Sequence, residues 1–123
     1  MIVGIPKEVK NNENRTSIIP FGVEDLSKYG HQILIQSHAG VGSGYSDKDY
    51  SAAGALIVDS SEEIFQKSDL IIKVKEPQSE EIKMIRNDQI IFTYFHFAAD
   101  KKLTICMKNS GAIAIAYETV QNS

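Results

Sequence analysis

Three side chains in this sequence have the chemistry to handle a small 2-oxo acid: Arg15, Lys75 and His96. A guanidinium offers a planar fork that matches a carboxylate. An ammonium is a compact charge able to polarise a carbonyl oxygen. An imidazole gives and takes protons near neutrality, because its ordinary pKa lies there. Together they describe a pocket for a carbonyl that gains or loses a proton and electrons. Each also has an ordinary explanation: a solvated loop arginine, a strand-end charge, a histidine bonded to backbone. Their spacing along the chain decides whether they can meet.

Lys75 closes the stretch Asp69 to Pro77, which starts as an apolar run at Leu70, Ile71 and Ile72 and continues Lys73, Val74, Lys75, Glu76. Strand alternation would send Lys73 and Lys75 to one face and Val74 to the other. Proline has no N–H for a ladder, so the sheet is expected to release the chain at about Lys75. His96 follows the apolar run 89–95, just after Tyr94. Arg15 lies in the polar stretch 7–17, which lacks apolar periodicity and reads as a loop after a first strand over 1–5. In a parallel sheet the C-terminal strand ends share one edge, which is where open α/β sheets bind ligands.

The remaining elements follow from local signals. Pro20 suits a first helical turn and Gly30 a helix end, with Val23 and Leu26 facing a core. Residues 31–37 alternate as a second strand, with Ile33 and Ile35 on one face. Ser46 caps a short helix, with Asp49 in the reciprocal position and Gly54 at its end. Residues 55–58 form a third strand. Ser60 or Ser61 caps the next helix, carrying Ile64 and Phe65, and the fourth strand spans 69–75. Ser79 caps a further helix with Ile82 and Ile85 inward, and the fifth strand spans 89–95. Leu103, Cys106, Met107 and Ser110 recur at helical spacing over 99–110, before Gly111 and a sixth strand at 112–117. Six strands alternating with five short helices imply an α/β, doubly wound, mostly parallel six-stranded sheet, with helices on both faces in a Rossmann-like three-layer arrangement.

Bulk composition bounds the partners. The 123 residues suffice for one domain with a real core. Interspersed charges with a net of −3 give no basic patch for nucleic acid. A single cysteine excludes an internal disulfide and a cysteine-based zinc cluster, and no metal site is expected. No apolar run approaches the ~20 residues of a membrane span, and residues 1–7 do not resemble a signal peptide. A soluble, cytoplasmic domain is the expectation.

The glycine stretch Ala39 to Gly44 invites comparison with the dinucleotide fingerprint Gly-x-Gly-x-x-Gly, which opens a long helix directly after a first strand. Gly40 and Gly42 fit, but the third slot is Tyr45, Gly44 comes one early, and the helix that follows is short. Turn glycines are the better reading, and no complete dinucleotide site is expected in this chain. His31, His38 and Cys106 receive no role, and Met84 and Met107 read as packing.

Several motifs, in order and covering nearly the whole chain, resemble those of bacterial alanine dehydrogenases. They are Gly4-Ile-Pro-Lys-Glu-Val-Lys-Asn-Asn-Glu-Asn-Arg15, Gly40-Val-Gly-Ser-Gly-Tyr-Ser-Asp, the Lys73 to Pro77 turn, Phe92-Thr-Tyr-Phe-His-Phe-Ala-Ala99 and Ala116-Tyr-Glu-Thr-Val-Gln121. The resemblance implies that Arg15 binds the substrate carboxylate, that Lys75 contacts pyruvate or alanine, and that His96 is catalytic. Tyr94, a candidate substrate contact, and Glu118 lie in motifs near that pocket; Lys73 stays unassigned. The implied reaction is reversible oxidative deamination of L-alanine to pyruvate and ammonia, with hydride passing to NAD, in a homohexamer. The same scaffold is shared by nicotinamide nucleotide transhydrogenases and saccharopine-type lysine dehydrogenases. The transhydrogenases lack the Tyr-Phe-His-Phe-Ala-Ala stretch. On this resemblance residues 1–123 form the N-terminal substrate-binding and catalytic domain, truncated and incomplete. The NAD-binding domain lies outside the chain, and the fragment alone is expected to be inactive. The alternatives are a transhydrogenase alpha-subunit-like chain and a non-catalytic module that binds small carboxylates.

Overall fold

A computed structural model describes residues 1–9, 15–93 and 109–116. The strands are β1 (Ile2–Ile5), β2 (Gln32–Gln36), β3 (Leu56–Val58), β4 (Leu70–Ile72), β5 (Ile90–Thr93) and β6 (Ile113–Ala116). All neighbouring strands pair in parallel, in the order β3-β2-β1-β4-β5-β6. The described helices are α1 (Pro20–Lys28), α2 (Asp47–Ala52), α3 (Ser61–Lys67) and α4 (Ser79–Ile82), with a 3₁₀ turn at Val41–Ser43. The expected helix at 99–110 falls mostly on residues 94–108, outside the described set.

Alternation along the strands builds two cores, one on each face of the sheet. On one face Val3, Ile5, Ile33 and Ile35 pack against Val23 of α1 and Tyr50 of α2. On the other, Leu34, Val58, Ile71 and Ile91 pack against Ile64 and Phe65 of α3, with Ile82 of α4 alongside. Strands apolar on both sides are what a parallel sheet covered by helices requires. The doubly wound, three-layer arrangement expected from the sequence is therefore present, and its sheet is parallel throughout the described residues.

Two local expectations are corrected. The fourth strand spans only Leu70–Ile72, not 69–75. The backbone N–H groups of Val74 and Lys75 turn to the Glu8 carboxylate and are lost to a ladder. The cap of α4 is Gln78 rather than Ser79: its backbone N–H donates to Glu81 Oε1 at 3.0 Å, and Glu81 occupies the third helical position. The capping signal here is the acidic residue, not the serine before it.

Elsewhere the local code holds. Gly30 ends α1 with a left-handed φ of 86°, a conformation that costs a glycine little. At α2, Ser46 Oγ accepts from the Asp49 N–H and Asp49 Oδ2 accepts from the Ser46 N–H, a complete capping box. Asp47, in the first turn, also accepts from the His38 N–H at 2.8 Å. Thus α2 holds the loop 38–44 that borders the site. Replacing Ser46 by alanine is expected to cost about 1 kcal/mol. Urea denaturation of the variant against the parent measures it.

Candidate functional site

The strand order reverses direction between β1 and β4: from β1 the chain proceeds outward to β2 and β3, then returns to β4 and continues to β6. At such a switch point the loops leaving the two central strands diverge to opposite faces and open a crevice beyond their carboxyl ends. Arg15 follows β1 and Lys75 follows β4, so the two lie on the loops that flank this crevice.

A cleft of about 390 Å³ occupies this edge, lined by Lys7, Glu8, Arg15, His38, Ala39, Val41 and Gly42. Lys7, Arg15 and His38 supply basic side chains. The segment carrying Arg15 is tied down at three successive residues. Thr16 N–H donates to Ser43 Oγ at 3.1 Å, Ser17 Oγ donates to the Ile72 carbonyl at 2.9 Å, and the Tyr50 hydroxyl donates to the Ile18 carbonyl at 2.8 Å. Arg15 is thereby held between the glycine loop and the end of β4. Lys75 is half-buried and does not line the cleft. It joins the wall through Glu8, whose Oε1 accepts from the Lys75 N–H at 3.2 Å. His96, Tyr94 and Glu118 lie outside the described residues.

The strand pattern carries no sign of what Lys73 does. Alternation pointed to a strand-edge charge, yet its side chain is 1% exposed and packed against two carboxylates, Glu8 at 3% and Glu81 at 2%. Lys73 Nζ is 3.0 Å from Glu8 Oε1 and 3.0 Å from Glu81 Oε2. Only the Glu8 contact has hydrogen-bond alignment; Glu81 Oε2 is close in charge but without a directed bond. Among the described residues Glu8 collects three donors, because Val74 N–H reaches Oε2 at 3.1 Å. A buried carboxylate needs such partners to offset its lost hydration. The sequence clue that could have exposed the cluster was an acid directly after β1 facing two lysines directly after β4.

Two carboxylates around one ammonium leave a surplus negative charge in a dry place. Desolvation pushes the Glu81 carboxyl above its ordinary range, and the nearby Lys73 only partly opposes it. The folded state therefore holds this proton more tightly than the unfolded chain does. Stability from this group is complete below the unfolded value near 4.5 and is lost as pH rises through the folded value.

The glycine loop does not make a dinucleotide cradle. A Cβ on Gly40 would run into the Tyr50 ring, so that glycine serves packing on α2 rather than approach to a phosphate. Gly44, at φ 88°, closes the 3₁₀ turn, and α2 has only six residues. The described residues of this loop do not form the dinucleotide fingerprint.

Comparison with known proteins gives this architecture a lineage. Residues 4–123 match the family model "Alanine dehydrogenase/PNT, N-terminal domain". The chain belongs to this family. It is 48% identical over all 123 residues to an alanine dehydrogenase of Mycolicibacterium smegmatis, covering 33% of that protein. Among solved structures it superposes on an L-alanine dehydrogenase with a TM-score of 0.93 and 42% identity, over 96% of this chain and 32% of that one. It also superposes on a transhydrogenase from Sinorhizobium meliloti with a TM-score of 0.88 and 27% identity, over 94% and 34%. The chain spans about a third of the length of the curated relatives it matches.

Two measurements check the buried cluster. Lys73→Ala leaves Glu8 and Glu81 facing each other without a cation, and should destabilise the protein by about 3–5 kcal/mol in chemical denaturation. Glu81→Gln keeps an oxygen for the Gln78 N–H and removes the surplus charge. Its melting temperature should exceed the parent's at neutral pH, and the gap should close as pH falls toward 4.5. A gap independent of pH would contradict the raised Glu81 value.

Proposed function

We propose that this chain is the substrate-holding portion of an NAD-dependent alanine dehydrogenase, which interconverts L-alanine with pyruvate and ammonia. The observation that carries the reading is Arg15 on a basic cleft between the loops that follow β1 and β2, in a chain 48% identical throughout to an alanine dehydrogenase. The resemblance of its motifs to those of the alanine dehydrogenases extends the reading to residues beyond the cleft.

In this reading the Arg15 guanidinium takes the substrate carboxylate as a two-pronged ion pair, which fixes which end of the molecule faces inward. The Lys75 ammonium lies against the carbonyl oxygen of pyruvate and stabilises negative charge as it develops there. His96 moves a proton to and from the same oxygen, and Tyr94 contributes to the substrate pocket. NAD supplies the hydride chemistry when bound. In this reading its site lies on residues outside 1–123, as the alanine dehydrogenase resemblance implies, and residues 1–123 act as the substrate domain. Assembly as a homohexamer and a cytoplasmic location follow the alanine dehydrogenase resemblance. No described helix is long and apolar enough to cross a membrane.

A second reading draws on the transhydrogenase likeness at 27% identity. The higher identity to an alanine dehydrogenase structure, 42%, and the Tyr94-Phe-His96 stretch favour the first.

In the full gene product, His96→Ala is expected to lower kcat for pyruvate amination by about 10²–10⁴-fold. Arg15→Ala should mainly raise KM, because a carboxylate contact acts on ground-state binding as well. Steady-state kinetics decides: a His96→Ala protein with most of its kcat would remove the histidine from the chemistry. Titration of the 123-residue chain with pyruvate by calorimetry addresses the carboxylate-binding module separately. Heat of binding abolished by Arg15→Ala supports a site on this chain, and turnover of NADH by the chain alone would refute the need for residues outside it.

A further inference from the structure

Lys75 is held by its backbone from both sides. Glu8 Oε1 accepts from its N–H at 3.2 Å, and Thr93 Oγ1 donates to its carbonyl at 2.9 Å. Neither partner is a surface group: Thr93 is 0% exposed and Glu8 9%. Both are themselves fixed. Glu8 is anchored by the Lys73 ammonium, and Thr93 is the last residue of β5, whose Phe92 carbonyl accepts from the Lys73 N–H at 3.0 Å. On the other side, Ser17 Oγ binds the Ile72 carbonyl, so the Arg15 loop is tied to the same turn. Residues 72–75 thus have donors and acceptors from both ends of the loop after β1, at Glu8 and Ser17, and from the β5 end. That is far more restraint than a surface turn between a three-residue strand and a four-residue helix needs.

We infer that Glu8 and Thr93 are positioning residues for Lys75: they set where its ammonium stands, through the peptide groups on either side of its Cα. This rests on the reading of Lys75 as the substrate contact. A side chain on a loop is ordinarily mobile, and misplacement of a reacting group by about 1 Å can cost about 10²-fold in rate. Sites of this kind work only when surrounding hydrogen bonds lock the contact residue. Here the lock acts on backbone, and it reaches across the switch point, joining the loops after β1 and β4 to the end of β5. Thr93 has a further consequence. It stands immediately before Tyr94 and three residues before His96, so the same hydroxyl ties the Lys75 turn to the start of the segment carrying the proposed histidine.

The test is a double-mutant cycle on the full gene product, followed by NADH oxidation in the presence of pyruvate and ammonia and by thermal melting. Thr93→Val removes the hydroxyl at nearly constant shape and is expected to lower kcat/KM about tenfold, with Thr93→Ser restoring it. The same substitution made on a Lys75→Ala background should add almost nothing, because a positioning residue has no effect once the group it positions is gone. Glu8→Met combined with Lys73→Met and Glu81→Gln removes the buried cluster without leaving an unpaired charge. It should show the same dependence on Lys75. If Lys75→Ala is damaging but the Thr93→Val effect persists undiminished on that background, Thr93 acts by another route and the inference is overturned. Parent-like kinetics for Thr93→Val would overturn it as well. If Lys75→Ala itself has no effect, the role of Lys75 falls, and this inference with it, while the Arg15 and His96 variants still judge the wider reading.

Discussion

The central constraint in this domain is the Glu8 carboxylate, buried and obliged to find hydrogen-bond donors. It finds them on one short turn: the Lys73 ammonium and the N–H groups of Val74 and Lys75. Because those amides are taken, β4 cannot extend past Ile72, and the chain leaves the sheet there. The loop after β1 is bound to the loop after β4 at the place where strand order reverses. The crevice of an open parallel sheet is usually a by-product of topology. In this molecule a buried ion pair also ties together the loops that leave the two central strands.

Glu81 extends this constraint to α4. One oxygen caps the helix at Gln78 and the other faces Lys73. A four-residue helix has little stability of its own. Its carboxylate ties it both to its own first turn and to the buried cation. Strand end, helix start and β1 loop therefore form one electrostatic unit, with the cleft and Arg15 on its outer side.

How much of this could be read from the sequence depended on the distance between partners. The capping box at Ser46 and Asp49, the helix end at Gly30 and the alternation of Ile33 and Ile35 are local, and all were legible. So were the layers and the parallel sheet, which follow from the order of elements. The length of β4 was not legible, since it is set by a residue 66 positions away from Val74. The burial of Lys73 was not legible for the same reason. Nothing within its own strand tells a buried, paired lysine from a solvated one. Gln78 was passed over as a cap because the serine beside it is the commoner signal. Of the site, the sequence singled out Arg15, which lines the cleft, and Lys75, which stands behind Glu8. It missed Glu8, Thr93 and His38, the last of which borders the cleft in a left-handed conformation with φ 66°. Tyr94 and His96 lie beyond the described residues.

Glu8 and Thr93 grip residue 75 only by its peptide groups, and every non-proline amino acid carries the same peptide groups. The fold is thus indifferent to which side chain is mounted there, provided it does not disturb its neighbours. A mount of this kind lets a lineage exchange the chemical tool at position 75 without rebuilding the support. Single substitutions at position 75 would then retune the same sheet edge, with the turn still held by Glu8 and Thr93.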